Sequence, residues 1–387
     1  MVKTIYLDNG ATTQVVNEVV KAMNKFHSEV YGNASSLHHK GQEAKRALEE
    51  ARHTIAKSIG AKDEEIIFTS GGTESNNFAI KEIAFANRNK GDHIITTKIE
   101  HDCVLNSCKI LEKLGFRVTY LNVDKEGFVN PEDLEKAVTD KTILVSIIHG
   151  NNEIGTIQDL SKLYEICKKH NIYFHTDTCQ SYTKTDLSAN QADLITLNAH
   201  KIHGPKGVGA LYIKKGVKIQ PLINGGGQER NLRSGTENIP GIIGFAKAVK
   251  FAMKKKYINS MAKLRDYFIE QALKIPDTQL NGPKGNKRLC NNINLSFKYI
   301  EGESIGAYLD AKGICTSTGS ACSSKSLEPS HVLMALEKNS ERAHGSLRFT
   351  ISRFTTKQEL DFTLKELKKT VEKLRKISPL TKILRRI

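Results

Sequence analysis

The sequence predicts an α/β protein built around a mostly parallel, seven-stranded sheet with helices on both faces. Two observations predict it: short apolar runs alternate with helical patterns, and the runs are apolar almost throughout, as in strands covered on both faces. The seven runs between residues 66 and 213 are IIFTS, HIITT, VTYLN, ILVSIIHG, IYFHTD, DLITLN and GALYI. Ligands of such sheets bind beyond the C-terminal ends of the strands.

Helical patterns connect several of these runs. They are ESNNFAIKEIAFANR, DCVLNSCKILEKLG and DLSKLYEICKKHN. After about residue 250 one long helical stretch, residues 248–274, leads to separate strands in NNINLSF and SLRFTIS and to a final helix, which predicts a smaller α+β domain. We expect a large domain over residues 16–255 and a small domain formed by residues 1–15 and 256–387.

Composition narrows the class of protein. The chain has 387 residues, 39% hydrophobic content and a net charge of +16. No run approaches the ~18 apolar residues that a membrane span needs, and MVKTIYLDNGATT lacks the apolar core of a signal peptide, so we expect a cytoplasmic location. The positive charge is spread out with few interleaved aromatic residues, so direct nucleic-acid binding is not expected.

The densest basic segment is the tail, residues 363–387. It carries nine Lys and Arg against two Glu, and Leu364, Leu367, Val371 and Leu374 recur at helical spacing. This pattern predicts a docked amphipathic helix with a basic outer face. That face is either simply solvated or a docking surface for an acidic partner.

The seven cysteines give no sign of a disulfide framework or a closed zinc site, because their number is odd and no CxxC occurs. Cys103, Cys108 and Cys167 lie in helical patterns and are expected to be buried structural thiols. Cys322 differs, since it lies among small and hydroxyl side chains in TSTGSACSSKS. Such a loop is cheap to open, and an exposed thiol is more easily deprotonated than a buried one.

Polar residues with chemical potential follow several predicted strands. FTSGGTESNN predicts a strand, a glycine turn with Gly72 and Thr73, and a helix whose N-terminus favours an anion, although an ordinary turn fits equally well. Asp177 ends one strand-like run and Lys201 follows the next. Pyridoxal phosphate needs such a pair, a lysine for a Schiff base and a carboxylate for the ring nitrogen; a surface lysine and a capping aspartate remain the alternative.

Three further segments offer weaker signals. His101 follows a strand in KIEHDCVL and could stack on a flat cofactor ring. Asn151 and Asn152 follow another strand, where a side-chain amide could bind a ring hydroxyl. The glycine-rich segment GGGQERNLRSGTEN is either a plain loop or a second element that contacts phosphate.

With these residues assembled, the chain resembles the pyridoxal-phosphate-dependent cysteine desulfurases, class V enzymes of fold type I that donate sulfur for iron–sulfur cluster assembly. The resemblance runs from residue 6 to residue 380. Its motifs, in order, are YLDNGATT, YGNASSLH, TSGGTESNN, EHDCVL, NNEIGT, NAHKIHGPKGVGALY, RSGTEN, STGSACSSKSLEPSHVL and SLRFTISRF.

The resemblance implies a role for each matching residue. Lys201 resembles the Schiff-base lysine, Cys322 the thiol that receives sulfur, and His101 the stacking histidine that also moves protons. Asn152 and Arg348 resemble the residues that bind the substrate carboxylate. The other residues that resemble cofactor contacts are Gly72, Thr73, Asp177, Gln180, Asn198, His200 and Thr236.

Two of these positions carry special features. Thr236 resembles a phosphate contact lent by the other subunit of a homodimer. Asn198 stands where relatives usually have a serine or threonine, and its amide can still donate to a phosphate. The resemblance implies pyridoxal 5′-phosphate as cofactor.

The implied reaction removes sulfur from L-cysteine and gives L-alanine and a persulfide on Cys322. The implied acceptor is an iron–sulfur scaffold protein, on which Cys322 could briefly ligate a nascent cluster, or a tRNA-thiolation relay. A selenocysteine lyase, a related lyase or an aminotransferase on the same fold is the alternative enzyme. A basic binding module without catalysis is the alternative from another class.

Overall fold

The computed structural model describes residues 4–319, 329–337 and 339–379. The strands are β1 (Ile5–Tyr6), β2 (Ile66–Thr69), β3 (His93–Thr97), β4 (Arg117–Leu121), β5 (Thr142–Ser146), β6 (Tyr173–Asp177), β7 (Leu194–Asn198), β8 (Gly209–Ile213), β9 (Thr278–Leu280), β10 (Asn292–Phe297), β11 (Ile314–Cys315) and β12 (Ser346–Thr350). The α-helices are α1 (Asn17–Ser28), α2 (His39–Ile59), α3 (Gly72–Asn77), α4 (Ile83–Asn87), α5 (Asp102–Lys113), α6 (Pro131–Ala137), α7 (Leu160–Lys169), α8 (Ile239–Ala252), α9 (Lys255–Ala272), α10 (Gly302–Asp310), α11 (His331–Glu337), α12 (Ser340–His344) and α13 (Lys357–Ile377). A π-helical turn, Phe78–Glu82, joins α3 to α4.

All seven predicted strands form one sheet in the order β2-β8-β7-β6-β5-β3-β4. Strand β8 runs antiparallel to β2 and to β7, and the pairs β7–β6, β6–β5, β5–β3 and β3–β4 are parallel. The predicted fold class, a mostly parallel seven-stranded sheet of the α/β type, is confirmed.

Helices cover both faces of this sheet, which explains why its strands are apolar throughout. One face packs on residues of α1, α2, α7 and α8. The other packs on the helical stretch 72–87 and on α5. Strands β3, β5 and β7 are buried along their whole length.

A second apolar cluster joins the two ends of the chain. It contains Ile5 and Leu7 together with residues from α9, β10, α10, β12 and α13. Strand β1 pairs in parallel with β11, and the backbone N–H of Thr350 donates to the carbonyl of Leu7 at 2.6 Å. This division of the core supports the predicted domain boundaries at 15/16 and 255/256, which stay a prediction.

The long helix expected over residues 248–274 is wrong. The stretch forms α8 and α9, which are separated at Met253 and Lys254. The apolar side of α8 packs in the cluster on the large sheet, whereas that of α9 packs in the second cluster. The chain therefore turns between α8 and α9 because these two helices are buried in different apolar clusters.

The predicted final amphipathic helix is confirmed as α13. Leu367, Val371 and Leu374 are buried, and Leu364 is half-buried. The helix ends at Ile377, and residues 380–387 of the basic tail lie outside the described residues. Among the described helices, none is long and apolar enough to cross a membrane.

Candidate cofactor and substrate site

Most of the predicted site residues lie at one edge of the large sheet. Asp177 ends β6, and Lys201 follows β7 by three residues. His101 follows β3, Asn152 follows β5, and Gly72 follows β2. Because these strands point the same way, the topology collects residues that are far apart in sequence at the C-terminal edge.

Asp177 is held as a buried carboxylate. Its Oδ2 accepts a hydrogen bond from Asn76 Nδ2 at 2.7 Å, and its Oδ1 accepts one from the backbone N–H of Cys179 at 2.8 Å. Burial opposes ionisation, but the charge of His101 and these donors outweigh it and lower the pKa of Asp177. The structure therefore supplies a fixed negative charge at the centre of the site.

His101 caps the N-terminus of α5. Its Nδ1 accepts a hydrogen bond from the backbone N–H of Cys103 at 3.2 Å, so the proton of the neutral imidazole lies on Nε2. Burial and the nearby charge of Lys201 lower the pKa of His101. His101 therefore gives up a proton more readily than a free histidine, and in its neutral form it presents Nε2–H, since Nδ1 accepts from the backbone.

Lys201 and His200 lie on the turn after β7, and this turn is fastened to the N-terminal segment. The carbonyl oxygen of His200 accepts from the backbone N–H of Thr13 at 2.9 Å and from its hydroxyl at 2.8 Å. Burial and the charge of Lys201 lower the pKa of His200 to about 3. His200 is therefore a neutral neighbour of Lys201.

The predicted anion cradle is present at the start of α3. Gly71 has φ 152°, and helix α3 begins at Gly72, so the first helical N–H groups have no acceptor within the helix. A Cβ on Gly72 would lie 2.4 Å from Cys179 Sγ and 3.7 Å from Asn198 Nδ2. Asn198 is buried, and its Oδ1 has no hydrogen-bond partner. Thr73 is exposed beside this cradle.

Arg348, on β12, has a buried guanidinium that does not use all of its hydrogen-bond donors. Its Nη1 donates to the carbonyl of Asn152 at 3.0 Å, and its Nη2 donates to Asp8 Oδ1 at 3.1 Å. Its Nε is buried without a partner. A buried donor left unpaired is costly, so this arrangement suits a ligand carboxylate.

The remaining predicted residues have mixed outcomes. Gln180 is buried, and its Nε2 donates to the carbonyl of Gly10 at 2.8 Å. Asn151 uses its amide on the backbone of Ile99 and Glu153, so it is not available to a ligand. Thr236 is exposed on a surface cavity that Ser70 and Arg233 also line.

Cys322 lies outside the described residues, so its predicted role as a metal ligand stays a prediction. Within the described part of the chain, no group of three His, Cys, Asp or Glu side chains could hold a metal ion. The glycine-rich segment is pinned by Arg233, whose Nε donates to Glu74 Oε1 at 2.8 Å. Arg230 reaches only the carbonyl of Asp63, at 3.4 Å.

Sequence reasoning missed two residues that shape the site. Asn76 donates to Asp177, and Asp8 pairs with Arg348. Both lie inside motifs that the sequence analysis singled out, TSGGTESNN and YLDNGATT. Each is a polar residue inside a recognised motif, and that position was the one sign of a role in the site. The sequence could not show which residue each one contacts, because the partners are about 100 and 340 positions away.

Comparison with known proteins places this fold and site in a family. A model described as aminotransferase class-V matches residues 5–362. The chain is 57% identical over 384 residues to a protein named cysteine desulfurase IscS from Dictyoglomus turgidum, covering 98% of this chain and 97% of the relative. It is 52% identical to a protein of the same name from Methanosarcina thermophila, covering 98% and 95%.

Solved structures of similar fold support the same family assignment. A NifS-like protein matches with a TM-score of 0.90 and 39% identity, covering 96% of this chain and all of that one. A structure described as SspA in complex with cysteine matches with a TM-score of 0.82 and 35% identity, covering 91% and all of that chain. The chain therefore belongs to the class V aminotransferase family, whose members depend on pyridoxal 5′-phosphate.

The described residues fit that cofactor. Asp177 offers a carboxylate to a protonated ring nitrogen, and Lys201 offers an amine to the aldehyde. At the helix start the buried amide of Asn198 can donate from Nδ2, and the missing Cβ of Gly72 leaves space, so a phosphate binds well there.

Proposed function

We propose that this chain is a cysteine desulfurase, which removes sulfur from L-cysteine, releases L-alanine and carries the sulfur as a persulfide on Cys322. The relatives from two organisms that share 52–57% of its residues over nearly the whole chain carry this name. The observation that carries the proposal is Asp177: a buried aspartate that stays ionised needs a cationic ligand, and the protonated pyridine nitrogen is one.

When bound, pyridoxal phosphate withdraws electrons from the substrate and so weakens its bonds at Cα and Cβ. Lys201 removes the proton from the substrate Cα, and His101 acts in proton transfer through Nε2, because its Nδ1 accepts from the backbone N–H of Cys103. Asp177 keeps the ring nitrogen protonated throughout. Arg348 binds the substrate carboxylate through Nε, while Asp8 and the carbonyl of Asn152 fix the orientation of the guanidinium.

Sulfur transfer is assigned to Cys322. Its thiolate attacks the sulfur of the substrate, so that a new S–S bond forms and the Cβ–S bond breaks. The electron pair of the broken bond stays on the carbon skeleton, which is protonated and released as L-alanine. The persulfide is then passed to an acceptor thiol.

Two variants test this function. Lys201→Ala should abolish the visible absorbance of the cofactor adduct, and borohydride reduction should place the pyridoxyl label on Lys201 in the natural chain. Cys322→Ser should keep the colour but release no sulfide from L-cysteine. Full activity of Cys322→Ser on L-cysteine would contradict the carrier role, and good turnover of L-selenocysteine by that variant would favour a selenocysteine lyase.

We further propose a cytoplasmic homodimer that passes sulfur to an iron–sulfur scaffold protein, where Cys322 transiently ligates a nascent cluster. Exposed apolar side chains support an interface near the start of α2, since Leu37 is 93% exposed and Tyr31 is 67% exposed. Thr236 would complete the phosphate site of the other subunit. Sedimentation of the holoenzyme and cofactor affinity of Thr236→Ala test the dimer and this contact.

A further inference from the structure

A second polar cavity lies beside the turn that carries Lys201. It is lined by that turn, by the segment after Gln180, by the residues that follow β12, and by parts of α8 and α9. Its volume is about 20 Å³, which leaves room for one water molecule or one small ion. It shares only Lys201 with the cofactor and substrate residues described above.

The charge around this cavity is one-sided. Lys184, Lys201 and Arg353 line it, and none of its lining residues is Asp or Glu. Lys184 Nζ donates to the carbonyl of Gln180 at 2.8 Å, and Arg353 Nη1 donates to the carbonyl of Phe251 at 2.7 Å. Within the described residues, neither Lys184 nor Arg353 forms an ion pair with a carboxylate.

Two polar groups at the wall also lack partners. Arg353 Nε is buried without an acceptor. Asn291 is only 3% exposed, and its Oδ1 has no donor. Rotation of its side chain by half a turn exchanges the oxygen for the N–H₂ group, so Asn291 can donate as well as accept. The cavity therefore offers an unused donor from Arg353, and a second one from Asn291 when its amide takes the rotated orientation.

Lys184 and Arg353 are half-buried, and even partial burial of a cation without a counter-charge is unfavourable. Burial, with smaller effects of Lys201 and Arg353, lowers the pKa of Lys184 to about 8. Burial lowers the pKa of Arg353 to about 10, and its guanidinium lies over the ring of Phe251, 4.4 Å from the centroid. An anion among these groups would offset the charge that the protein itself leaves unbalanced.

We propose that this cavity is a binding site for one small monovalent anion of the halide class, held by Lys184, Arg353 and Asn291. Its small volume favours a monoatomic ion over sulfate or phosphate. The bound anion would join the turn of Lys201 to the residues after β12. This proposal does not rest on the desulfurase activity.

The first test locates the ion directly. Crystals of the full-length holoenzyme grown with bromide should show an anomalous peak in this cavity, within hydrogen-bonding distance of Lys184 Nζ. The absence of a peak there overturns the proposal. This measurement uses the natural chain, so it holds whether or not any variant folds.

The second test measures affinity in solution. At constant ionic strength, replacing gluconate by chloride should raise the melting temperature of the holoenzyme in a saturable way, and sulfate should not. Lys184→Met and Arg353→Gln should each raise the half-saturating chloride concentration at least about tenfold, because a buried charge partner is lost. Lys263→Met, which removes an exposed lysine on α9, is the matched control and should change nothing. A response that does not saturate, or a half-saturating chloride concentration that both cavity variants share with the natural chain, overturns the proposal.

Discussion

Replacement of Gly72 by alanine should weaken cofactor binding, and a second substitution should restore it. The new Cβ would lie 2.4 Å from Cys179 Sγ, about 1 Å closer than an ordinary contact. Cys179 is buried, and its backbone N–H donates to Asp177, so it cannot move without disturbing the carboxylate. Overpacking of this kind costs about 1–3 kcal/mol, which predicts a dissociation constant for pyridoxal phosphate roughly 5- to 150-fold higher.

The assay is an absorbance titration of the apoenzyme with pyridoxal phosphate, with urea unfolding measured in parallel. In the double variant Gly72→Ala/Cys179→Ala the clashing sulfur is gone, so affinity should return close to that of the natural chain. Gly306→Ala is the matched control, because its Cβ would meet nothing closer than 3.6 Å. Unchanged affinity in Gly72→Ala, or a double variant as weak as the single one, would refute the reasoning.

Three further predictions concern other contacts. Arg348→Gln should raise the KM for L-cysteine roughly 10- to 150-fold, because it removes charged hydrogen bonds worth about 1.5–3 kcal/mol. Steady-state measurement of alanine release tests this, and an unchanged KM would contradict the role of Arg348 in binding the substrate carboxylate. Burial lowers the pKa of His149 and of His175 to about 4, so below pH 6.5 the unfolded chain binds protons that the folded chain does not, and stability should fall by about 3 kcal/mol per histidine between pH 6.5 and 4. Urea unfolding across this range measures it, and a His175→Gln variant with the same pH slope would count against the account. Arg52→Met should lower the free energy of unfolding in urea by about 3–5 kcal/mol, because it leaves Glu229 as a buried unpaired charge. The carboxylate oxygens of Glu229 lie 2.8 Å from the guanidinium of Arg52. A loss below about 1 kcal/mol would contradict this expectation.

The strands and the edge that carries the site could be predicted from the sequence because each depends on local signals. A short, mostly apolar run that ends at Asp177, or that ends three residues before Lys201, identifies both a buried strand and its functional end. The order of the strands then places these residues together without any knowledge of distances.

Other features depend on tertiary contacts that no local pattern shows. The apolar period runs on through Met253 and Lys254, where neither glycine nor proline interrupts it, so only the separate packing of α8 and α9 reveals the break. In the same way, Asn76 and Lys184 read as ordinary polar residues, and their roles follow from what lies opposite them in space.

The pairing of β1 with β11 has a consequence for how the chain is made. Ile5 leaves the ribosome before its partner Ile314, which is about 300 residues behind it, a delay of roughly 15–60 seconds during synthesis. The large sheet can assemble in that interval, whereas Asp8 must wait for Arg348 before their ion pair can form. The stretch around β1 is therefore synthesised long before it can reach its native place.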